Sequence, residues 1–405
     1  MALLKIAAIT AALALTAGAA APPPNEELRY AIIIARHGVR APTWTNERLN
    51  AYSSAPWPDW GVEPGYLTQH GEALMRLLGG FYVEYLKGQG LRGFADCSEP
   101  RKTYVWADLD QRTITSAKAL AQGLSPECPA PVHWAEGKTA DPLFDPIEAG
   151  ESKAEPELGL AAVLGRIGPK PESVVEAHRA AFDTLDRILK GEEKPAKSIF
   201  DERLLIKTGD GAVAMTGPLR IASTLTENLL LEYTNGFRDD QLGWGRLNAK
   251  NLLEIMSLHT AYADLMRRSP YLARLRGGRL LRYVAQSLEQ ASTGKSRTSL
   301  LVISGHDTNL SNLSGLLNLT WALPSYQRDD VPPGGALMFT LWRSRTNGEF
   351  RVRTQFIAQT MDQMRDGLAL SMEHPPAIAD LFVPACSTGG AGYPCPLKQF
   401  LAAVQ

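Results

Sequence analysis

The sequence predicts an α/β protein: a mostly parallel sheet flanked by helices, with a smaller helical domain inserted over the active end of the sheet. Three observations carry this. The apolar runs Tyr30–Ala35, Thr103–Ala107 and Ser299–Ile303 read as strands buried on both faces. Each run ends in a charged loop and is followed by a helical pattern, the order that a parallel sheet needs. Between about 151 and 261 the strand signal gives way to helical spacing. A chain of 405 residues has ample material for a large core and a second unit. The expected division is 22–150 with 262–405 for the α/β domain, and 151–261 for the insertion.

The chain opens with a secretory signal over residues 1–21. Lys5 supplies the positive start, Ile6–Leu15 the apolar centre and Ala17–Ala21 the small-residue cleavage region, before Pro22-Pro23-Pro24. A membrane-spanning helix needs about 20 apolar residues, more than this segment offers. No cysteine follows to carry a lipid anchor, and no later stretch is long and apolar enough to span. The expectation is an exported protein that leaves the membrane once the signal is removed.

Hydrophobic content of 44% and charged content of 21% are those of a globular protein. A net charge of −1 provides no global field toward nucleic acid or anionic lipid, so any affinity for anions is local. Cys97, Cys128, Cys386 and Cys395 allow three pairings, of which the two sequence-local ones are favoured because Ser387–Pro394 is a glycine-rich loop suited to a small ring. In an oxidising compartment a bridge over about 30 residues adds roughly 3–4 kcal/mol. No cysteine pair has the spacing of a zinc site, and no metal or other cofactor is expected.

The first strand, Tyr30–Ala35, stops at Arg36-His37-Gly38-Val39-Arg40, with Pro42 blocking further ladder bonds. Thr43–Tyr66 reads as an irregular loop holding Trp44, Trp57 and Trp60. Gly71–Lys87 is a helix, with Leu74, Leu77, Leu78 and Phe81 on its apolar stripe. The second strand, Thr103–Ala107, runs into the loop Asp108–Arg112, then a helix over Thr113–Leu124. Within the insertion, helices are expected at Pro171–Gly191, Gly217–Tyr233 and Leu247–Arg268. Pro270–Ala291 is a helix leading to the third strand, whose terminal loop Ser304–Thr308 precedes a helix over Asn309–Leu319. Ala336–Trp342 and Phe350–Ala358 form a closing antiparallel pair around Asn347-Gly348.

Neighbouring parallel strands place Arg36, His37 and Arg40, then Asp108 and Arg112, then His306 and Asp307, at one rim, where open α/β sheets bind ligands. Three guanidiniums converge only around an anion, and their forks suit the several non-bridging oxygens of a phosphoryl group. His37 is then the candidate nucleophile, attacking phosphorus to form phosphohistidine. Arg36, Arg40, Arg112 and His306 would hold the equatorial oxygens. Asp307 is the candidate acid for the leaving oxygen and the base that later activates water.

The pair RHGVRAP (Arg36–Pro42) and HDTN (His306–Asn309) resembles the histidine acid phosphatases, the branch of the histidine phosphatase superfamily with bacterial periplasmic phytases and glucose-1-phosphatases. The likeness extends through ADLDQRT (Ala107–Thr113), DPLFDP (Asp141–Pro146), SLH (Ser257–His259), PPGG (Pro332–Gly335) and the Cys386–Cys395 tail. The resemblance implies an α/β domain with a helical domain over the site, metal-independent hydrolysis of phosphomonoesters such as phytate or sugar phosphates, and the periplasm. It places Arg36, His37, Arg40, Arg112 and His306 on the phosphate-binding and nucleophile positions, Asp307 on the proton donor, and Thr43 on a substrate contact. Related phytases carry lysine after that threonine; this chain has Trp44, a candidate surface for a sugar ring. A mutase is disfavoured because Val39-Arg40 replace the acidic residues that follow the triplet in mutases. A non-hydrolytic periplasmic binding protein for phosphometabolites would not need both a nucleophile and an acid.

Overall fold

The computed structural model describes residues 25–168, 170–192, 195–209 and 211–404. The signal expected at 1–21 lies outside these residues. Ten strands occur among those described: β1 (Glu26–Arg36), β2 (Thr103–Ala107), β3 (Val132–His133), β4 (Leu205–Gly209), β5 (Ala212–Thr216), β6 (Leu300–Gly305), β7 (Ala336–Ser344), β8 (Phe350–Ala358), β9 (Ala377–Leu381) and β10 (Cys395–Pro396). The main sheet runs β10-β8-β7-β1-β6-β2-β3, with β9 also on β8. β1, β6, β2 and β3 are parallel. β7 returns antiparallel beside β1 and pairs with β8, the expected closing hairpin.

β1 is central for the reason its composition suggests. Ile32, Ile33 and Ile34 are wholly buried. Ile32 and Ile34 join one core with the helix Pro270–Ser292, while Ile33 joins the other with the helices Gln69–Gly88 and Gln111–Leu124. Each such side chain contributes about 1.5–3 kcal/mol on leaving water. Register then does the functional work. Ser304 pairs with Ala35 on one side and Ala107 on the other, so β1, β6 and β2 end level with one another.

Several boundaries differ from expectation for local reasons. The helix after β2 begins at Gln111, because Asp110 is the extended residue that starts it, so Arg112 sits in a first turn and not in a loop. Likewise Asp307 opens the helix Asp307–Leu317, whose start is fixed by Asn309 Oδ1 accepting the His306 N–H at 2.8 Å. The helix expected over Pro171–Gly191 is two helices, Ser173–Ala177 and Arg179–Lys190, separated at His178. Within Thr43–Tyr66 a short helix, Asn46–Asn50, forms behind the capping residue Thr45. The stretch 151–261 also holds the hairpin β4–β5, a separate two-stranded sheet among the described residues. The chain leaves that stretch through one continuous helix, Ala249–Met266.

Both disulfides form between the sequence-local cysteines, Cys97–Cys128 with Cα atoms 5.6 Å apart and Cys386–Cys395 at 5.1 Å. No described helix is long and apolar enough to cross a membrane.

Candidate active site

The level strand ends bring the expected residues together. Arg36 (1% exposed) donates from Nη1 to the Val331 carbonyl at 2.6 Å, and its Nη2 meets Glu227 Oε1. Arg40 Nη2 lies 3.1 Å from Glu227 Oε2 and its Nη1 donates to the Ala41 carbonyl. Arg112 is held by Asp110 at 2.6 Å. All three arginines keep a buried Nε–H with no partner among the described residues. Buried unpaired donors of one charge are costly, and an anion would relieve them.

His37 lies among these cations. Its Nδ1 donates to the Gly38 carbonyl at 2.8 Å, which fixes the tautomer and leaves Nε2 as the free lone pair. Burial, with Arg36, His306, Arg40 and Arg112 adding to it, pushes its pKa well below the usual histidine value. This favours the neutral imidazole, with the lone pair on Nε2. The His306 ring stands edge-on at 5.4 Å, and its Nε2 bonds Asp108 Oδ2 at 2.8 Å.

Backbone packing holds His37 in position. The Arg36 N–H donates to Gly335 O, the His37 N–H to Gly305 O, and the Gly334 N–H to His37 O, at 2.9–3.0 Å. The PPGG turn and the end of β6 thus bracket the residue from both sides. A Cβ on Gly38 would come within 2.8 Å of the Gly71 carbonyl, so only glycine lets the helix Gln69–Gly88 close on this loop.

The opposite wall comes from the helices Pro218–Thr234 and Ala249–Met266, and the sequence reading missed its key members. Glu227, His259 and Arg267 all reach the site. Glu227 bridges Arg36 and Arg40; burial would raise its pKa, but those two guanidiniums hold it below the usual carboxylate value. Arg267, the residue that ends the helix Ala249–Met266, pairs with Asp307 Oδ2, and His259 Nε2 lies 3.6 Å from the same oxygen. Asp307 Oδ1 accepts the Thr308 N–H at 2.9 Å. Burial opposes the charge on Asp307, yet Arg267, Arg36 and His259 keep its pKa well below the ordinary value. Burial likewise opposes protonation of His259, and Asp307 and Glu227 outweigh it, raising that pKa. A signal for His259 existed in the SLH match; Glu227 and Arg267 had none beyond charge on a helix.

Thr43 and Trp44 line the same cleft, of about 410 Å³, as Arg40, Glu227, Arg267 and Asp307. One face of Trp44 is already covered by Arg48, whose guanidinium carbon lies 3.6 Å from the ring centre. Arg220 and Arg276 extend the basic lining. Two triads, Asp108/Asp110/His306 and Glu227/His259/Asp307, gather ligand-type atoms within 4.8 Å of one another. Arg112 beside the first and Arg36, Arg40 and Arg267 beside the second oppose a cation at either place.

Comparison with known proteins agrees with this chemistry. Residues 27–156 and 178–356 match the histidine phosphatase superfamily (branch 2). The phytase AppA of Escherichia coli is 34% identical over 93% of this chain and 91% of its own. The glucose-1-phosphatase of Salmonella typhimurium is 28% identical over 93% and 92%. The Hafnia alvei phytase solved with myo-inositol hexakis sulphate superimposes with a TM-score of 0.86 at 33% identity, covering 94% of this chain and 97% of that one. The chain belongs to the histidine phosphatase superfamily, branch 2, and is a phosphomonoester hydrolase of the histidine acid phosphatase kind.

Proposed function

We propose that this hydrolase is exported to the periplasm and removes phosphate from multiply phosphorylated alcohols of the phytate type. The observation that carries the substrate reading is the supply of guanidiniums beyond the phosphate seat: Arg220, Arg267 and Arg276 line the cleft together with Thr43 and Trp44. A polyanionic substrate needs such charge, and here it comes from the helical side in place of a lysine after Thr43. The stretch 151–261 serves as the domain over the active-site end of the sheet formed by 22–150 and 262–405.

In the proposed reaction the substrate phosphate displaces the Glu227 carboxylate and is gripped by Arg36, Arg40 and Arg112, with His306 as a fourth donor. His37 Nε2 attacks phosphorus as the P–O ester bond breaks. Asp307 gives its proton to the departing alkoxide, leaving a carboxylate and phosphohistidine. Water then attacks phosphorus as the P–N bond to His37 breaks, Asp307 takes the water's proton, and inorganic phosphate departs.

The test is a phosphate-release panel of inositol hexakisphosphate, glucose 1-phosphate and an aryl phosphate. The hexakisphosphate should show the highest kcat/KM; a clear preference for glucose 1-phosphate would overturn the substrate reading. Asp307→Asn should cost about 10²–10⁴-fold with the sugar or inositol ester and far less with the aryl ester, whose leaving group needs no proton. Equal losses would remove Asp307 from the acid role.

A further inference from the structure

Asp307 cannot donate a proton in the arrangement the structure holds. Oδ1 already accepts the Thr308 N–H, and Oδ2 faces the Arg267 guanidinium with His259 behind it. A carboxyl O–H on Oδ2 would point at N–H donors, and the neutral acid would strand the arginine in a site where its side chain is only 16% exposed. The remaining charged neighbours are Arg36 at the end of β1 and Arg40 in the loop beyond it, Glu227 from the helix Pro218–Thr234, and Asp330 from the segment before β7. Of the cations, Arg36 and Arg40 are tied to backbone carbonyls and to Glu227. Among the described residues, the Arg267 side chain has Asp307 as its one ion-pair partner and stands 5.9 Å from the Tyr262 ring, and it lines the cleft.

Resting on the hydrolytic reading above, we propose that Arg267 is a specificity-determining positioning residue. It keeps Asp307 as a carboxylate until a second anionic group of the substrate draws the guanidinium away and so frees Asp307 to carry a proton. An ester with one phosphate fills the seat and leaves the clasp in place. An ester with a further phosphate within reach opens the clasp by the same contact that binds it. Discrimination then lies in leaving-group protonation and not in affinity alone.

The pH dependence follows with a definite sign. Phosphoryl transfer from an alkyl ester needs protonated Asp307, so its rate falls as pH rises through that group's pKa. In the wild type, the alkaline limb of kcat for inositol hexakisphosphate should lie about one pH unit or more above that for a single-phosphate alkyl ester. In Arg267→Gln the two limbs should coincide, and kcat for the single-phosphate ester above the wild-type limb should rise about tenfold, the effect of one unit. KM for the hexakisphosphate should rise together with this change. Arg267→Lys, which keeps the charge, should keep the limbs apart, and Arg267→Gln combined with Asp307→Asn should erase the shift. Coincident limbs in the wild type, or Arg267→Gln lowering both alkyl substrates equally with unmoved limbs, would overturn the proposal. If Arg267→Gln does not fold, the wild-type limbs decide alone. The aryl phosphate separates the two readings: no turnover of it by the wild type would sink the hydrolytic reading itself.

Discussion

The two walls of the cleft are built differently. On the sheet side, Arg36, His37, Arg40, Arg112 and His306 stand at the ends of β1, β2 and β6 or in the turn just beyond, held by ladder bonds and by the Gly334-Gly335 turn. On the helical side, Glu227, His259 and Arg267 reach in as single side chains from two helices, and each is satisfied by a partner on the sheet wall. The first wall is preorganised by backbone; the second is a set of side-chain ion pairs, which substrate exchanges in the proposed reaction. On the proposed mechanism, chemistry comes from the rigid wall and selectivity from the exchangeable one.

That contrast predicts a graded set of effects. His37→Ala on the rigid wall should lower turnover of an aryl phosphate by at least about 10³-fold in phosphate release, with the thermal melt unchanged. Residual activity near wild type would mean that another group attacks phosphorus. Glu227→Gln on the exchangeable wall should act in the other direction. With no carboxylate competing for Arg36 and Arg40, inhibition by inorganic phosphate should tighten about tenfold, roughly 1.4 kcal/mol. An unchanged inhibition constant would show that Glu227 does not hold the anion seat.

The smallest effect concerns stability behind the helical wall. Glu232 is buried with Oε2 accepting the Gly243 N–H at 3.0 Å and Oε1 unpaired among the described residues, and burial raises its pKa from 4.5 to about 8. The folded state thus binds this proton more tightly than the unfolded state. The stability it contributes is present below about pH 4.5 and is lost as pH rises toward 8. Glu232→Gln should leave the denaturation midpoint nearly unchanged at pH 4.5 and raise stability by about 1–3 kcal/mol at pH 8. A constant difference across that range would mean that the carboxyl does not titrate there.

Legibility in the sequence follows the same division. The strand endings could be read because each couples an unbroken apolar run to an abrupt charge, and the three together imply one rim. The pattern assigns Arg112 and Asp307 to the loops after the correct strands but not to helix first turns, since the helix starts depend on Asp110 and His306 adopting extended backbone. The exchangeable wall was opaque. Glu227 and Arg267 have the spacing of solvated polar residues on amphipathic helices, and only tertiary packing turns them inward. The hairpin β4–β5 was hidden for a related reason: β4 is largely exposed, with Leu205 at 52%, so it carries no apolar run.

The position of β1 has a consequence for how the enzyme comes into being. The strand that leads into His37 precedes its two sheet neighbours, β6 and β7, by most of the chain. Local pairing cannot complete the centre of this sheet, and closure waits on contacts more than 260 residues apart, as between Ala31 and Leu300. The backbone partners that bracket His37, Gly305 and the Gly334-Gly335 turn, all lie in that distant part of the chain. The backbone cradle around His37 is thus complete only once the PPGG turn is docked against the end of β1.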